Sequence, residues 1–171
     1  MEIIRGSHFL SAAVQSTDEE VLKAVRHENV HWDQMIYVAQ RGKKLDANSF
    51  AEIILALPSD TTRAHIKSVS DLIDAGLNVV RSHQYIMLMG SAGCSPSSRQ
   101  AHGLKTAFRV MPNTMVEYTF FGERFFAPEI DEICISNSTL SFDDYLECRL
   151  YDLTTEMFYN NAMFDELYKF V

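Results

Sequence analysis

Short apolar runs alternate along the chain with stretches in which apolar residues recur at helical spacing. The apolar runs cover residues 9–16, 50–57 and 78–88. Short runs of this kind, each followed by an amphipathic helix, predict β-α units with parallel strands. Because the runs are almost continuously apolar, we expect these strands to be buried on both faces.

The predicted helices between the runs have recognisable ends. Residues 16–19 offer an N-cap followed by first-turn acids, and residues 59–62 offer a cap after the second strand. A further helix is predicted from His31 to Gly42, where the glycine ends it. The first 90 residues therefore read as strands connected by helices.

The pattern changes after Gly90, where a small, polar stretch replaces the apolar runs. The expected elements are a loop over residues 91–100 with a short helix, strands over 105–110 and 116–121 around a turn at 112–113, a turn-rich stretch over 122–128 and a strand over 129–136. Ser141 is predicted to cap a final helix that ends at residues 160–161. The apolar face of that helix is formed by Phe142, Tyr145, Leu146, Leu150, Leu153 and Met157.

Composition narrows the classes of partner. The chain has 171 residues, enough for one domain, and a net charge of −8. This acidic balance argues against binding to nucleic acid or to an anionic membrane surface. The apolar runs fall far short of the roughly 20 residues that span a bilayer. The first eight residues also lack the charged-then-apolar order of a secretory signal, so we expect a cytoplasmic protein.

The cysteines do not suggest a disulfide framework. Cys94, Cys134 and Cys148 are odd in number and widely spaced, with no CxxC pair or close trio. The sequence therefore predicts no zinc or iron–sulfur site within this chain. We expect Cys134 and Cys148 to be packing residues, and we expect no cation beside Cys94 that would favour its thiolate.

Four motif-like segments follow one another between residues 13 and 149. They are AVQS with TDEEVLK at residues 13–23, EIILALPSDT at 52–61, LIDAG at 72–76 with QYIMLMGS at 84–91, and TLSFDDYLECR at 139–149. In this order they resemble radical S-adenosylmethionine (SAM) enzymes, most closely the group that also carries a cobalamin-binding domain. The second segment resembles the family pattern E-x-I-L-G-L-P-G-D-T, with Ala56 and Ser59 in place of its glycines.

The resemblance implies an α/β fold built from the later strands of an open, partial (β/α) TIM-like barrel, followed by a mixed extension ending in helices. Residues 1–111 would be the C-terminal half of the barrel and residues 112–171 the extension. In that family a CxxxCxxC motif holds the [4Fe–4S] cluster that splits SAM into a radical, and that motif is absent here. The resemblance thus implies SAM, a [4Fe–4S] cluster and cobalamin for a full-length enzyme, with no activity in this chain alone.

The resemblance also places seven residues in the SAM and substrate pocket, and it identifies no catalytic residue or metal ligand. Gln15 would bond the amino-acid end of SAM, and His27, with Arg26 beside it, would face its carboxylate. Glu52 would bond ribose or substrate hydroxyls, and Ile54 would lie by the adenine. The complete set is Gln15, Ser16, His27, Glu52, Ile54, Ala56 and Gln84.

Each of these residues also has an ordinary structural interpretation. Ser16 or Thr17 would simply cap the first helix. His27 would lie at a solvated helix end, and Glu52 would begin a strand at its rim. A lone strand histidine such as His83 is more often a structural hydrogen-bonding group than an acid or base.

Strands cut from a larger parallel sheet leave one edge unpaired, here the edge before Ala12. We therefore expect one of two partners, a missing N-terminal half, fused or separate, or a second copy joined through that edge. The enzyme hypothesis adds a small-molecule substrate. Two alternatives stay open: a degenerate, noncatalytic interaction module or gene fragment, and an unrelated small α/β domain. SAM binding separates them, because the enzyme hypothesis allows it only with the missing half present and the alternatives predict none.

Overall fold

The computed structural model describes residues 10–29, 31–44, 47–111, 114–162 and 164–168. Its elements are β1 (Leu10–Gln15), α1 (Glu19–Val25), α2 (Trp32–Lys44), β2 (Ser49–Leu55), α3 (Thr62–Asp74), β3 (Val79–Gln84), α4 (Pro96–His102), β4 (Lys105–Val110), β5 (Val116–Phe120), β6 (Glu123–Ala127), β7 (Ile130–Ser136), α5 (Phe142–Thr154), a π-helical turn (Thr155–Tyr159), a 3₁₀ turn (Asn160–Ala162) and α6 (Asp165–Tyr168). The predicted α/β class is confirmed.

β1, β2 and β3 form a three-stranded parallel sheet in that order. Ala13, Glu52 and Arg81 lie in one row across it, and a register shift follows Ala13 on β1. The described strands do not close into a barrel. The parallel sheet is therefore established, whereas its place in a partial barrel stays a prediction. The division at residues 111 and 112 also stays a prediction, because residue 112 lies outside the described residues.

Among the described residues, α2 and α3 cover one face of the parallel sheet, whereas the other face is largely left half-buried. Along β2, buried and half-buried residues alternate, with Ala51 and Ile53 facing the core. Helices α2 and α3 cover that face through a cluster made up of Val14, Met35, Ala39, Ala51, Ile53, Val69, Leu72, Leu77 and Val80. The other face carries Phe50 and Glu52, which stay half-buried. The expectation of strands buried on both faces is wrong for the described part of this sheet.

The two edges of the parallel sheet also differ. On the β3 side, the Asn160 side chain bonds both backbone groups of Val80: Nδ2 donates to the carbonyl at 2.9 Å and Oδ1 accepts from the amide at 2.9 Å. Further along, Cys134 donates its backbone N–H to the Tyr85 carbonyl at 2.9 Å, so β7 extends this closure. On the β1 side, no described strand pairs with the outer edge. Such an edge offers its backbone groups to a further strand.

The C-terminal extension contains two antiparallel strand pairs, β4 with β7 and β5 with β6. The predicted strands at residues 105–110, 116–121 and 129–136 correspond to β4, β5 and β7. The turn-rich prediction for residues 122–128 is wrong, because residues 123–127 form β6. The predicted turn at residues 112–113 lies outside the described residues.

Helix α5 begins as predicted. Ser141 Oγ accepts from the Asp144 amide at 3.1 Å, and Asp144 Oδ2 accepts from the Ser141 amide at 3.0 Å, which completes a capping box. Of the predicted apolar face, Tyr145 is buried, whereas Phe142, Leu146, Leu150, Leu153 and Met157 are exposed. The helix buries Cys148 and Asp152 beside Tyr145. No helix in the described part of the chain is long and apolar enough to cross a membrane.

Candidate functional site

A cavity of about 450 Å³ opens at the carboxyl end of the parallel sheet. It lies between the end of α1, the loop after β2, the segment after β3 and helix α4, and Arg26, Pro58 and Tyr85 line it. We call it the carboxyl-end crevice. A Cβ at Gly93 would overlap the Tyr85 hydroxyl, so glycine lets this wall form. The volume lies within the roughly 300–1,000 Å³ usual for small-molecule sites.

The backbone next to the crevice adopts unusual conformations. Gln15 at the end of β1 has φ 62°, and Ala56 and Ser59 after β2 each have φ 67°. Non-glycine residues rarely adopt this left-handed region, which costs about 1–3 kcal/mol each and concentrates at functional sites. Ala56 and Ser59 are also the two positions where the resembled family has glycine. The loop after β2 therefore keeps a glycine-type backbone despite its side chains.

Asp60 supports this loop from beneath. Its buried carboxylate accepts from the Ala56 amide at 3.0 Å through Oδ2 and from the Thr61 amide at 2.9 Å through Oδ1. Burial raises the pKa of Asp60 to about 6, although the nearby His65 opposes that rise. The sequence indicated only a helix cap here. The helix cap itself is Thr61, whose Oγ1 accepts from the Ala64 amide at 3.1 Å.

The Ser16 hydroxyl is engaged within the fold. Its Oγ lies 3.2 Å from Ser68 Oγ and accepts from the Asp18 amide at 3.1 Å. The expectation that Ser16 or Thr17 caps α1 is wrong, because the Asp18 carboxylate accepts from the first-turn amides. The half-buried Gln15 side chain makes no hydrogen bond to another described residue. Gln15 is therefore available for a ligand, whereas Ser16 stabilises the turn.

The polar atoms after α1 are only partly satisfied. Arg26 ends α1 in a left-handed conformation and is exposed at the crevice. Next to it, His27 Nε2 is buried and lacks a hydrogen-bond partner among the described residues, as does Asn29 Oδ1. Asn29 Nδ2 donates to the Ser16 carbonyl at 2.7 Å, which ties this segment to the end of β1. A cation and two unsatisfied polar atoms thus lie near the end of β1.

Glu52 lies on the uncovered face of the sheet, away from the strand ends. Its Oε1 is 3.2 Å from His83 Nε2, and both side chains are partly exposed. On the same face, the Arg81 guanidinium carbon lies 5.0 Å from the centre of the Phe50 ring. This face therefore carries charges and an aromatic ring where a covered sheet would carry core residues.

Ile54 and Gln84 point in different directions. Ile54 packs, with Val25 and Tyr85, against an apolar cluster of Val21, Leu57 and Ala64. Gln84 Nε2 donates to the Tyr145 hydroxyl, and Gln84 Oε1 accepts from Arg109. None of the seven predicted site residues lines the crevice itself; His27 follows the lining residue Arg26 and Ala56 lies two residues before the lining residue Pro58, whereas Gln84 bonds the extension. Their roles in cofactor binding stay predictions.

The three cysteines lie in different environments and do not form one group. Burial raises the pKa of the Cys134 thiol, and it raises that of Cys148 to about 12. Cys94 does have a cation beside it, contrary to expectation: Arg99 Nη2 donates to its Sγ at 3.2 Å. The same Arg99 pairs with Glu132 at 2.6 Å and lowers the pKa of that carboxyl to about 2. In the described ranges, no three His, Cys, Asp or Glu residues are grouped to hold a metal ion.

Similarity to known proteins agrees with the motif order. No family model matches the chain. It is 28% identical over 95 residues to the cobalamin-dependent radical SAM methyltransferase TokK of Streptomyces tokunonensis, which covers 55% of this chain and 14% of that protein. It is 24% identical over 137 residues to a 2-(S-pantetheinyl)-carbapenam-3-carboxylate methyltransferase of Streptantibioticus cattleyicolor, covering 80% of this chain and 19% of that protein. The chain is thus distantly similar to cobalamin-dependent radical SAM methyltransferases and spans less than a fifth of these curated relatives.

Proposed function

We propose that this chain is a C-terminal portion of a radical SAM enzyme of the cobalamin-dependent kind, supplying part of the SAM and substrate pocket for modification of an unactivated carbon. The observation that carries the proposal is the left-handed backbone at Ala56 and Ser59, beside a crevice at the ends of parallel strands. Ligands bind at the carboxyl ends of such strands, and this backbone lets a loop approach them closely.

The chemistry of the crevice suits SAM, which joins an aromatic base and a ribose to a charged amino acid. Tyr85 lines the crevice and offers apolar surface to the base, with Ile54 packed against the same apolar cluster. Arg26 lines the crevice and offers a cation to the carboxylate, and the buried His27 Nε2, which has no partner among the described residues, follows it in the chain. SAM, when bound, would supply the radical or methyl chemistry, and the residues named here would bind and orient it.

The described residues do not fit an iron–sulfur cluster. Such clusters need several thiolates close together, whereas Cys134 and Cys148 are buried with raised thiol pKa values. They also form no ligand group with Cys94 in the described ranges. The cluster would therefore belong to polypeptide outside this sequence, fused or separate.

Exposed apolar surface supports a need for that partner. The β5–β6 hairpin carries aromatic side chains that are 45–93% exposed, namely Tyr118, Phe120, Phe121, Phe125 and Phe126. Tyr118 stacks on Phe125 on one face of the hairpin, whereas Phe126 pairs with Glu117 on the other, so both faces expose aromatic surface. Together with the β1 edge, where no described strand pairs, and the half-buried second sheet face, this surface favours a chain that works inside a larger assembly.

A noncatalytic interaction module is the second candidate. Two side chains that were predicted to bind the cofactor favour this candidate, because both bond to other protein groups. Ser16 stabilises a turn, and Gln84 bonds Tyr145 and Arg109. A relic that kept its fold and lost its cofactor would retain the same exposed hairpin. The two candidates differ in whether SAM binds to the assembled complex.

The deciding experiment begins with the DNA that neighbours the coding region. A reading frame with CxxxCxxC, fused or adjacent, would be co-expressed with this chain, and SAM binding to the complex measured by calorimetry. We expect binding by the complex, weakened about tenfold by Arg26→Ala and unchanged by Arg41→Ala on α2. A complex that binds no SAM, or the lack of any such reading frame, would favour the interaction module.

A further inference from the structure

The loop after β2, residues 56–60, is held in a conformation that its own sequence disfavours. Ala56 and Ser59 both have φ 67°, where a Cβ is strained. Pro58 in the same loop lines the carboxyl-end crevice, so the shape of the loop sets the shape of the wall. Something other than intrinsic preference must keep this conformation.

Bonds within the loop supply part of the restraint. The Asp60 amide donates to the Leu57 carbonyl at 3.0 Å, which closes a turn. Asp60 Oδ2 accepts from the Ala56 amide at 3.0 Å, which ties the carboxylate to the first strained residue. These bonds link the two ends of the loop to each other but not to the rest of the molecule.

The restraint from outside comes from the connection between β7 and α5, about 80 residues later. Asn137 Nδ2 donates to the Leu57 carbonyl at 2.8 Å, and Thr139 Oγ1 donates to the Asp60 carbonyl at 2.6 Å. Asn137 is itself fixed, because its Oδ1 accepts from the Thr139 and Leu140 amides, each at 2.8 Å. Two side-chain donors from one turn therefore bond the carbonyls of Leu57 and Asp60, near the two ends of the loop.

We propose that Asn137 and Thr139 are positioning residues that hold the strained loop after β2 in its crevice-lining conformation. The C-terminal extension thereby sets the geometry of the crevice without touching a ligand. That this geometry serves SAM rests on the proposed function, whereas the restraint on the loop does not. The proposal explains how Ala56 and Ser59 can occupy a backbone that suits glycine.

Hydrogen exchange at the Ala56 amide, followed by NMR in the full chain, tests the restraint directly. Thr139→Val removes the hydroxyl donor and keeps the branched shape, whereas Thr139→Ser keeps the donor. We expect Thr139→Val to speed Ala56 exchange roughly threefold to tenfold, with Thr139→Ser close to wild type. The Val69 amide in the core serves as the reference for global opening.

A glycine background separates positioning from ordinary stabilisation. Adding Ala56→Gly/Ser59→Gly to Thr139→Val removes the backbone strain, so the protection of the residue-56 amide should return to within about twofold of wild type. No acceleration by Thr139→Val, or no recovery of protection on adding the two glycines, overturns the proposal. If Thr139→Val does not fold, Asn137→Asp takes its place, because it keeps the acceptor oxygens and cannot donate to Leu57. A complex that binds no SAM while showing this exchange pattern would refute the proposed function alone.

Discussion

The two faces of the parallel sheet have opposite chemistry although they belong to the same strands. On the covered face Val14, Ile53 and Val80 are buried beneath α2 and α3. On the uncovered face the Glu52–His83 pair replaces core residues. Charged side chains keep their hydration on an open face, whereas apolar side chains gain free energy on the covered face. The contrast shows that burial by α2 and α3 decides the chemistry of each face.

The largest expected effect tests that contrast through Ile53→Ala against Phe50→Ala. Ile53 is fully buried, so its truncation should lower the free energy of unfolding by about 2–5 kcal/mol. Truncation of the half-buried Phe50 should lower the free energy of unfolding by about 1–2 kcal/mol, because folding removes only part of its side chain from water. Urea denaturation of the full chain measures both. Equal losses would mean that the second face is covered after all.

A second effect concerns Asp60, on the loop at the top of the sheet. Its pKa is raised to about 6, so the charged form destabilises the fold and the stability from the neutral form is lost as pH rises through 6. Below the unfolded pKa of about 3.9 that stability is fully present. The unfolding free energy of wild type relative to Asp60→Asn should therefore increase by about 2 kcal/mol from pH 7 to pH 4. If the stabilities of wild type and Asp60→Asn changed equally with pH, burial would not raise the pKa of Asp60.

A third test compares the two edges. Asn160→Ala removes both bonds to Val80 and leaves a buried amide and carbonyl unpaired, which should cost about 1–3 kcal/mol. Hydrogen exchange of the Val80 amide should rise more than that of the β1 amides, because the variant removes hydrogen bonds at the β3 edge and none at β1. Urea denaturation and exchange NMR report these quantities. A loss within error would show that water replaces Asn160 without cost.

The smallest effect is expected at the uncovered face. Glu52→Gln removes the charge that faces His83, and both side chains are partly exposed. Screening by solvent limits such pairs to less than about 1 kcal/mol, so stability should hardly change and the difference should vanish in high salt. Denaturation at low and high ionic strength measures it. A loss of several kcal/mol would place this pair in a buried environment and contradict an open face.

Short apolar runs were sufficient to find β1, β2 and β3, and apolar residues at helical spacing were sufficient to find α3, because both signals are local in the sequence. The sequence pattern failed for β6, since Gly122 and Pro128 suggest turns and only pairing with β5 makes residues 123–127 a strand. It also failed for α5, whose buried stripe is selected by contact with its neighbours. That stripe includes Asp152, whose Oδ1 lies 2.7 Å from His65 Nε2 on α3.

The candidate site could likewise be predicted only in part from the sequence. Motif order pointed to Gln15, the last residue of β1, and to Ala56, directly after β2, because strand ends converge in a parallel sheet; their roles stay predictions. It could not foresee that Gln84 would bond Tyr145 and Arg109, since strand alternation does not say which face another element covers. Arg26 drew attention only as a neighbour of His27, yet it is the one that lines the crevice.

The sequence alone determined the strand–helix order, the acidic charge and the lack of a CxxxCxxC motif in this chain, because these are local or additive properties. Tertiary structure decided which sheet face is covered, which edge is closed and how the loop after β2 keeps its strained backbone. Those outcomes depend on contacts such as Asn137 with Leu57 and Asn160 with Val80, which join residues 80 positions apart. No local pattern encodes such a pairing, since each side chain is an ordinary polar residue until the fold brings its partner within bonding distance.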